Sequence, residues 1–172
     1  MNIVFYGAAV VTVVSAAMVI TRLNVVHALL YSIVSLLAVA LIFFTLGAPF
    51  VAALEIIIYA GAIMVLFVFV IMMLNLGSQA TEQESQWLSR PMWTGPAILT
   101  AILIAELIYV LAGESNQLTG VGGVEPKQVG VALFGPYLLA VELASLLLLA
   151  GLVGTHHLGR RPQSSKEKGE ET

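Results

Sequence analysis

The sequence predicts an all-α integral membrane protein with five transmembrane helices and no independent soluble domain. Hydrophobic residues make up 59% of the chain and charged residues 10%, whereas soluble domains average about 45–50% apolar and about 25% charged residues. The mean hydropathy is +0.99. The apolar residues also fall in runs of roughly 18 to 25, which is the length that crosses roughly 30 Å of hydrocarbon. A membrane protein explains all three observations.

Each predicted span is bounded by polar, glycine or proline residues. The spans cover about 3–20, 26–46, 51–75, 92–112 and 131–158. They form one transmembrane domain, residues 1–158, and the segments 77–91 and 113–130 are predicted loops. Residues 159–172 contain Gly, Arg, Pro, Ser, Lys and Glu with no apolar group to bury, which predicts a disordered cytoplasmic tail.

The distribution of Lys and Arg predicts the orientation, because positively charged flanks stay on the cytoplasmic side. With the N-terminus outside, only Lys127 lies on the outer side. The inner side then carries Arg22, Arg90, Arg160, Arg161, Lys166 and Lys168. We therefore expect a periplasmic N-terminus and a cytoplasmic C-terminus.

The composition excludes several kinds of site. The chain has no cysteine, so it offers no thiolate ligand for an iron–sulfur cluster or for structural zinc. The adjacent His156 and His157 do not share a helix face, as the i, i+4 histidines of a zinc site do, so we predict no metal site. No basic patch suggests nucleic acid. No phosphate-binding loop or nucleophile–base pair is present, so we predict no catalytic or cofactor-binding residue in this chain.

Three glutamates lie within the apolar spans: Glu55, Glu106 and Glu142. A charged side chain at such a position costs at least about 2.5 kcal/mol on insertion scales, so an acid there is a functional candidate by default. The alternative is a protonated carboxyl that hydrogen-bonds to a neighbouring helix as part of the packing.

The segments 49–55 and 136–142 share proline, an aromatic residue, alanine and glutamate at equal spacing. Six helical residues place Glu55 and Glu142 roughly 9 Å beyond their prolines, so we predict similar depths for the two carboxyls. A duplicated device and chance both explain the match. Glu106 follows Pro96 by ten residues, which predicts a position roughly 15 Å into the membrane.

Tyrosine and glycine lie close to two of these acids. Helical spacing puts Tyr59 on the face of Glu55 and Tyr109 on the face of Glu106, where a phenol can hydrogen-bond a carboxyl. Gly61 lies between two alanines near the centre of the third span. It permits either close approach of another helix or a π-bulge.

The third span, LEIIIYAGAIMVLFVF from Leu54 to Phe69, resembles the subunit J family of the proton-pumping NADH:quinone oxidoreductase, respiratory complex I. The resemblance extends over nearly the whole chain. It includes VHALLY at 26–31, Trp87, GPAIL at 95–99, LFGPY at 133–137 and VELA at 141–144.

The resemblance implies a non-redox membrane-arm subunit of a multi-pass complex in the bacterial inner membrane. NADH, FMN, the iron–sulfur clusters and quinone are then expected in other subunits. The implied partners are membrane lipid and the other membrane subunits, especially subunit K and also A, H, N and L.

The resemblance also implies a π-bulge at Tyr59–Gly61 whose formation and relaxation accompany switching of the complex, with Met64 and Val65 beside it. It places Glu55 near buried carboxylates of subunit K, in a water-filled path that links quinone chemistry to proton channels. The proton-path candidates are therefore Glu55 and Tyr59, with Glu106 and Glu142 added from their positions alone. Two alternatives stay open: a purely structural or assembly subunit, and a stand-alone small channel or transporter.

Overall fold

The computed structural model describes residues 2–74, 90–113 and 123–159, and the regular structure in these ranges is helical throughout. Five helices are long and apolar enough to cross a membrane: Ile3–Thr21, Val25–Thr45, Pro49–Met73, Trp93–Ala112 and Leu138–Gly159. The predicted number of spans, five, is thereby confirmed. The predicted orientation stays a prediction. Most of the predicted loop 77–91, including Trp87, half of the predicted loop 113–130, and the predicted tail after Gly159 lie outside the described residues.

The helices are labelled in chain order. They are α1 (Asn2–Thr21), α2 (Val25–Thr45), α3 (Pro49–Leu54), a π-helix (Glu55–Ile63), α4 (Met64–Leu74), α5 (Arg90–Gly113), α6 (Pro126–Phe134) and α7 (Leu138–Gly159). The third span consists of α3, the π-helix and α4 in succession, so it is one continuous rod whose middle is wound differently.

Helices α1 and α2 pack along a seam of small and branched side chains. On α1 the buried residues recur at intervals of three or four: Val4, Ala8, Val11 and Ser15. On α2 they recur in the same way: Tyr31, Val34, Ala38, Leu41 and Thr45. Ala8 and Ala38 are fully buried. Small residues at such positions let two membrane helices approach closely, and the approach gains van der Waals contact along their length.

Local polar groups fix the two turns that flank α2. The side-chain oxygen of Asn24 accepts hydrogen bonds from the backbone N–H groups of Val26 and His27, which caps the start of the helix. After α2 the chain reverses at Gly47, whose φ of 80° lies in the left-handed region that favours glycine. Pro49 then starts α3 at the first helical position, where a missing N–H costs nothing.

Helix α5 adds a third layer to the core through Leu103 and Val110, which join the buried cluster formed by α1 and α2. Leu99 also packs against this cluster. Pro96 lies inside α5, close to its start. The N–H groups without intrahelical partners are those of the first four residues of a helix. Pro96 is the seventh residue of α5, so it lacks a hydrogen bond that another residue would donate within the helix.

Residues 126–159 form a second compact unit, and here the structure corrects two predictions. The predicted fifth span, 131–158, is broken: α6 ends at Phe134 and α7 starts at Leu138, with a turn at Gly135, Pro136 and Tyr137. Pro136 has no N–H for a continuous ladder. The last residues of the predicted loop 113–130 are also helical, because α6 begins at Pro126.

We expect Ala8→Leu to lower the stability of the first unit by about 1–3 kcal/mol, because the larger side chain overpacks the seam between α1 and α2. Thermal unfolding of the purified protein in mild detergent, followed by circular dichroism, measures the change. Ala16→Leu is the matched control, since Ala16 lies on the exposed side of the same helix. Equal stability of the two variants would contradict the packing described here.

Candidate functional site

The middle of the third span is a π-helix, in which the hydrogen bonds run from residue i to i+5. The backbone N–H of Glu55 still donates to the carbonyl of Val51, four residues back. The N–H of Met64, which follows the last π-helical residue, donates to the carbonyl of Tyr59, five residues back. One additional residue is therefore accommodated between Glu55 and Met64. Tyr59 and Gly61 lie inside this segment, and Met64 and Val65 start α4 directly after it.

Gly61 lies close to the backbone of the preceding turn of the π-helix. A Cβ atom added to Gly61 would lie 3.1 Å from the carbonyl oxygen of Ile56, the residue five positions back. That distance is short enough that a side chain would push the two turns apart by a few tenths of an ångström. Glycine is therefore the residue that fits this position of the π-helix best.

Glu55 is the first residue of the π-helix and is partly buried, while Tyr59 is half exposed. No hydrogen bond joins their side chains in the described part of the chain. The phenol–carboxyl bond that the sequence spacing allows is therefore not formed among the described residues. Both groups therefore remain available to whatever packs against this face of the third span.

An apolar cleft of about 180 Å³ lies beside the start of the π-helix. Ala52 and Ile56 line it on one side, α2 contributes Leu41 and Phe44, and α5 contributes Leu107. The cleft leaves the helix with unfilled space on the side that faces the rest of the first unit.

Glu106 lies on the face of α5 that contacts α1. It falls between Leu103 and Val110 at the spacing of that buried face, a position that an apolar residue would normally occupy. The absence of a side chain at Gly7 makes room for it, because a Cβ there would overlap Oε1 of the carboxyl. The other oxygen, Oε2, is buried and has no hydrogen-bond partner. Glu106 is thus wedged between helices, whereas Tyr109 is largely exposed.

Glu142 belongs to the second unit and is exposed there. It is the fifth residue of α7, and its backbone carbonyl accepts a hydrogen bond from the Ser145 hydroxyl over 2.7 Å. The similar depth of Glu142 and Glu55 stays a prediction. Among residues 2–74, 90–113 and 123–159, no group of three or more His, Cys, Asp or Glu side chains is placed to hold a metal ion.

Comparison with known proteins agrees with the resemblance noted in the sequence. A family model described as NADH-ubiquinone/plastoquinone oxidoreductase chain 6 matches residues 15–158. NADH-quinone oxidoreductase subunit J of Escherichia coli strain K12 is 54% identical over 96% of this chain and 90% of its own length. The chain belongs to the subunit J family. The member from Pseudomonas aeruginosa is 58% identical over 94% of this chain and 98% of its own length. The member from Buchnera aphidicola of Schizaphis graminum is 48% identical over 93% and 98%.

In this subunit J family member the structure brings Glu55, Tyr59 and Gly61 together in one π-helix and keeps Glu106 apart, against α1. Sequence reasoning missed Gly7, which makes the room for Glu106. A signal was present in the pattern, because Glu106 interrupts an otherwise apolar face of α5. Its partner position on another helix becomes visible only once α1 and α5 are packed together.

We expect Gly7→Ala to displace the Glu106 carboxyl and to raise its reactivity towards dicyclohexylcarbodiimide, an apolar reagent for carboxyl groups in membranes. The added Cβ overlaps Oε1, and the side chain moves because its far end is flexible. Mass spectrometry of the labelled peptides measures the extent of reaction at each glutamate. Labelling of the exposed Glu142 is the internal control and stays unchanged, whereas equal labelling of Glu106 in both proteins would refute the wedge.

Proposed function

We propose that this chain is a non-redox membrane-arm subunit of a proton-translocating NADH:quinone oxidoreductase, in which the third span couples quinone reduction to proton movement. The observation that carries the proposal is a π-helix that starts at Glu55 and contains Tyr59 and Gly61, in a chain of the subunit J family. Quinone, NADH, FMN and the iron–sulfur clusters belong to other subunits in this proposal.

The exposed surface of the spans supports a role inside a larger assembly. The most apolar windows of the third and fifth spans bury none of their residues within the chain. Such surfaces need lipid or other transmembrane subunits around them. We assign subunit K to the face of Glu55, with subunits A, H, N and L among the further neighbours. In this proposal the complex lies in the bacterial inner membrane. The count of basic residues favours a periplasmic N-terminus for this chain.

The proposed switch is conversion of the π-helix into a regular α-helix. Removing one residue from the winding of a helix turns everything beyond it by about 100° and shifts it by about 1.5 Å. Met64 and Val65 would therefore change the neighbours that they face, while Glu55, which precedes the additional residue, stays in place. Quinone reduction in the neighbouring subunits would bias the two forms, and a water path beside Glu55 would open in one of them.

Two features of the structure suit a segment with two forms. The apolar cleft beside Ala52 and Ile56 provides space for side chains to move without displacing α2 or α5. Gly61 has no Cβ to clash with the Ile56 carbonyl in the π form. Because every backbone N–H can keep a partner in either form, the change costs little in the membrane.

The acids then take different roles. Glu55 and Tyr59 carry the proton path, since both have side chains without an internal partner on the face of the switching segment. Glu142 remains a candidate through its sequence similarity to the Glu55 segment. For Glu106 the wedged position against Gly7 favours the alternative role, a neutral carboxyl that packs two helices.

We expect Glu55→Gln to lower proton pumping coupled to quinone reduction by roughly tenfold, which corresponds to about 1.4 kcal/mol in activation free energy. The amide keeps the size of the carboxyl and removes its exchangeable proton. Acidification by inverted membrane vesicles, at matched content of the complex, measures the rate. Glu125→Gln is the matched control, because Glu125 lies outside the spans. Full pumping by the Glu55 variant would remove this carboxyl from the proton path.

We expect Gly61→Val to be more damaging than Glu55→Gln, because a branched Cβ meets the Ile56 carbonyl and disfavours the π form. NADH:quinone reductase activity and a hydrogen-bond map of the third span in the purified complex measure the two consequences. Gly151→Val provides the same substitution in a helix where no atom lies within 4 Å of the added Cβ. A variant at Gly61 that keeps both the π-helix and the activity would contradict the switch.

One purification distinguishes this proposal from its two alternatives, a purely structural subunit and a stand-alone channel. The proposal requires that the chain extracted in mild detergent migrates with a large assembly that oxidises NADH. Migration by itself, with ion conduction in liposomes, would establish the channel. Migration with the assembly but silent Gln variants at every membrane glutamate would establish the structural subunit.

A further inference from the structure

A cavity of about 480 Å³ with both polar and apolar lining opens where α1 ends and where α2 and α5 begin. It lies within the first unit but is separate from the π-helix, and residues of the loop between α1 and α2 form much of its wall. All three helices that meet here are membrane-spanning, so the cavity lies at a membrane surface. The basic-residue count predicts that this is the cytoplasmic surface.

His27 is the first observation that indicates a ligand. Its side chain lines the cavity and is only 6% exposed, yet no described residue is a hydrogen-bond partner of its Nε2 atom. Its ring stands edge-on to the ring of Tyr31, with 5.7 Å between the centroids, which fixes the imidazole orientation. A buried polar nitrogen without a partner costs free energy, so such groups are usually paired with protein, water or a bound ligand.

Arg22 is the second observation. Its guanidinium lies over the ring of Tyr31, 5.6 Å from the centroid, and one nitrogen contacts the Met18 sulfur at 3.4 Å. A thioether is a weak acceptor, and an aromatic face takes no directed hydrogen bond from most of the N–H groups. Within the described part of the chain the guanidinium therefore keeps several N–H donors without a partner. Tyr31 is itself held in place because Gly95 lacks a side chain, as a Cβ there would overlap the phenol oxygen.

The start of α2 is the third contribution. Asn24 occupies the cap position and lines the same cavity, and the helix that follows it is 21 residues long. The N-terminus of such a helix carries a partial positive charge. Among the described residues, those that line the cavity include Arg22 and His27 and no acidic side chain. The charge and partial charge that these residues contribute therefore favour an anion.

Apolar side chains beside the cavity indicate what kind of anion fits. Ile20, Leu23 and Val25 are strongly exposed around the same loop. A free inorganic anion gains nothing from these groups, whereas an amphipathic ligand covers them with hydrocarbon. Arginine at a membrane surface also suits phosphate, since its planar fork donates two parallel hydrogen bonds to it.

We propose that this cavity binds the phosphate of a glycerophospholipid headgroup, with Arg22 and His27 as its ligands and the lipid chains against Ile20 and Leu23. The site is independent of the proposed switch in the third span. A bound lipid would fill the cavity between the ends of α1, α2 and α5 and would satisfy the unpaired nitrogen of His27.

Photolabelling of the protein in its own complex tests the site. The complex is placed in bilayers of digalactosyl diacylglycerol, a lipid without phosphate, that contain a minor fraction of phosphatidylglycerol with a photoreactive headgroup. We expect labelled peptides from the segment that includes residues 21–31. Arg22→Gln should lower their yield about tenfold, since a charge-assisted hydrogen bond to an ionised group is lost.

Lys127→Gln is the matched control, because it also removes one exposed positive charge and lies outside the cavity. His27→Gln should lower the yield as well, and co-migration with the NADH-oxidising complex shows that each variant is folded. Unlabelled phosphatidylglycerol should suppress the labelling and inorganic phosphate should not. Equal suppression by inorganic phosphate would show a free-anion site and overturn the lipid assignment. Absence of label at 21–31, or equal label in the Arg22 and Lys127 variants, would overturn the site itself.

Discussion

The structure depends on one constraint, which is that a peptide group inside a bilayer has to make its hydrogen bonds within the protein. Water is absent there, and each unsatisfied N–H or C=O costs several kcal/mol. A membrane-spanning segment therefore needs a continuous series of backbone hydrogen bonds. The third span obeys the constraint in an unusual way, by changing from i→i+4 to i→i+5 bonding between Glu55 and Met64. This change inserts a residue while the backbone N–H groups at both ends of the segment, those of Glu55 and Met64, still donate to carbonyls of the same helix, which is why such a segment can exist at membrane depth.

Glycine is suited to places where two elements meet, because its missing side chain leaves room for a polar atom of the neighbouring element. In this chain the space left by a glycine is repeatedly taken by an oxygen atom: the Glu106 carboxyl at Gly7, the Tyr31 hydroxyl at Gly95 and the Ile56 carbonyl at Gly61. Small residues in membrane helices are usually explained by close approach of backbones. Here the missing side chain also leaves room for a polar atom of a neighbouring residue or turn.

The sequence predicted the number and limits of the first four spans well, because a run of about 20 apolar residues between polar breaks has few alternatives. It predicted the fifth span less well, since the apolar pattern continues through Gly135 and Pro136 while the backbone ladder does not. The candidate site was likewise predicted only in part. The resemblance gave Glu55 an expected role and left Glu106 as a lone acid in an apolar run, and only the packing of α5 against Gly7 of α1 shows where Glu106 lies. Such contacts between distant segments leave no local signal in one sequence.

The unlike surroundings of these two acids determine what each can do. A carboxyl that moves protons needs an accessible path and a change of surroundings during the cycle. In the proposed switch Glu55 would gain both, because it stands at the start of the segment that would change its winding and beside an apolar cleft. Glu106 lies in the packed face of α5 against α1, next to the core residues Leu103 and Val110, and would keep these neighbours if only the third span changed. Depth alone made Glu106 a candidate in the sequence, whereas a relay requires surroundings that change during the cycle, and the proposal assigns that change to the third span.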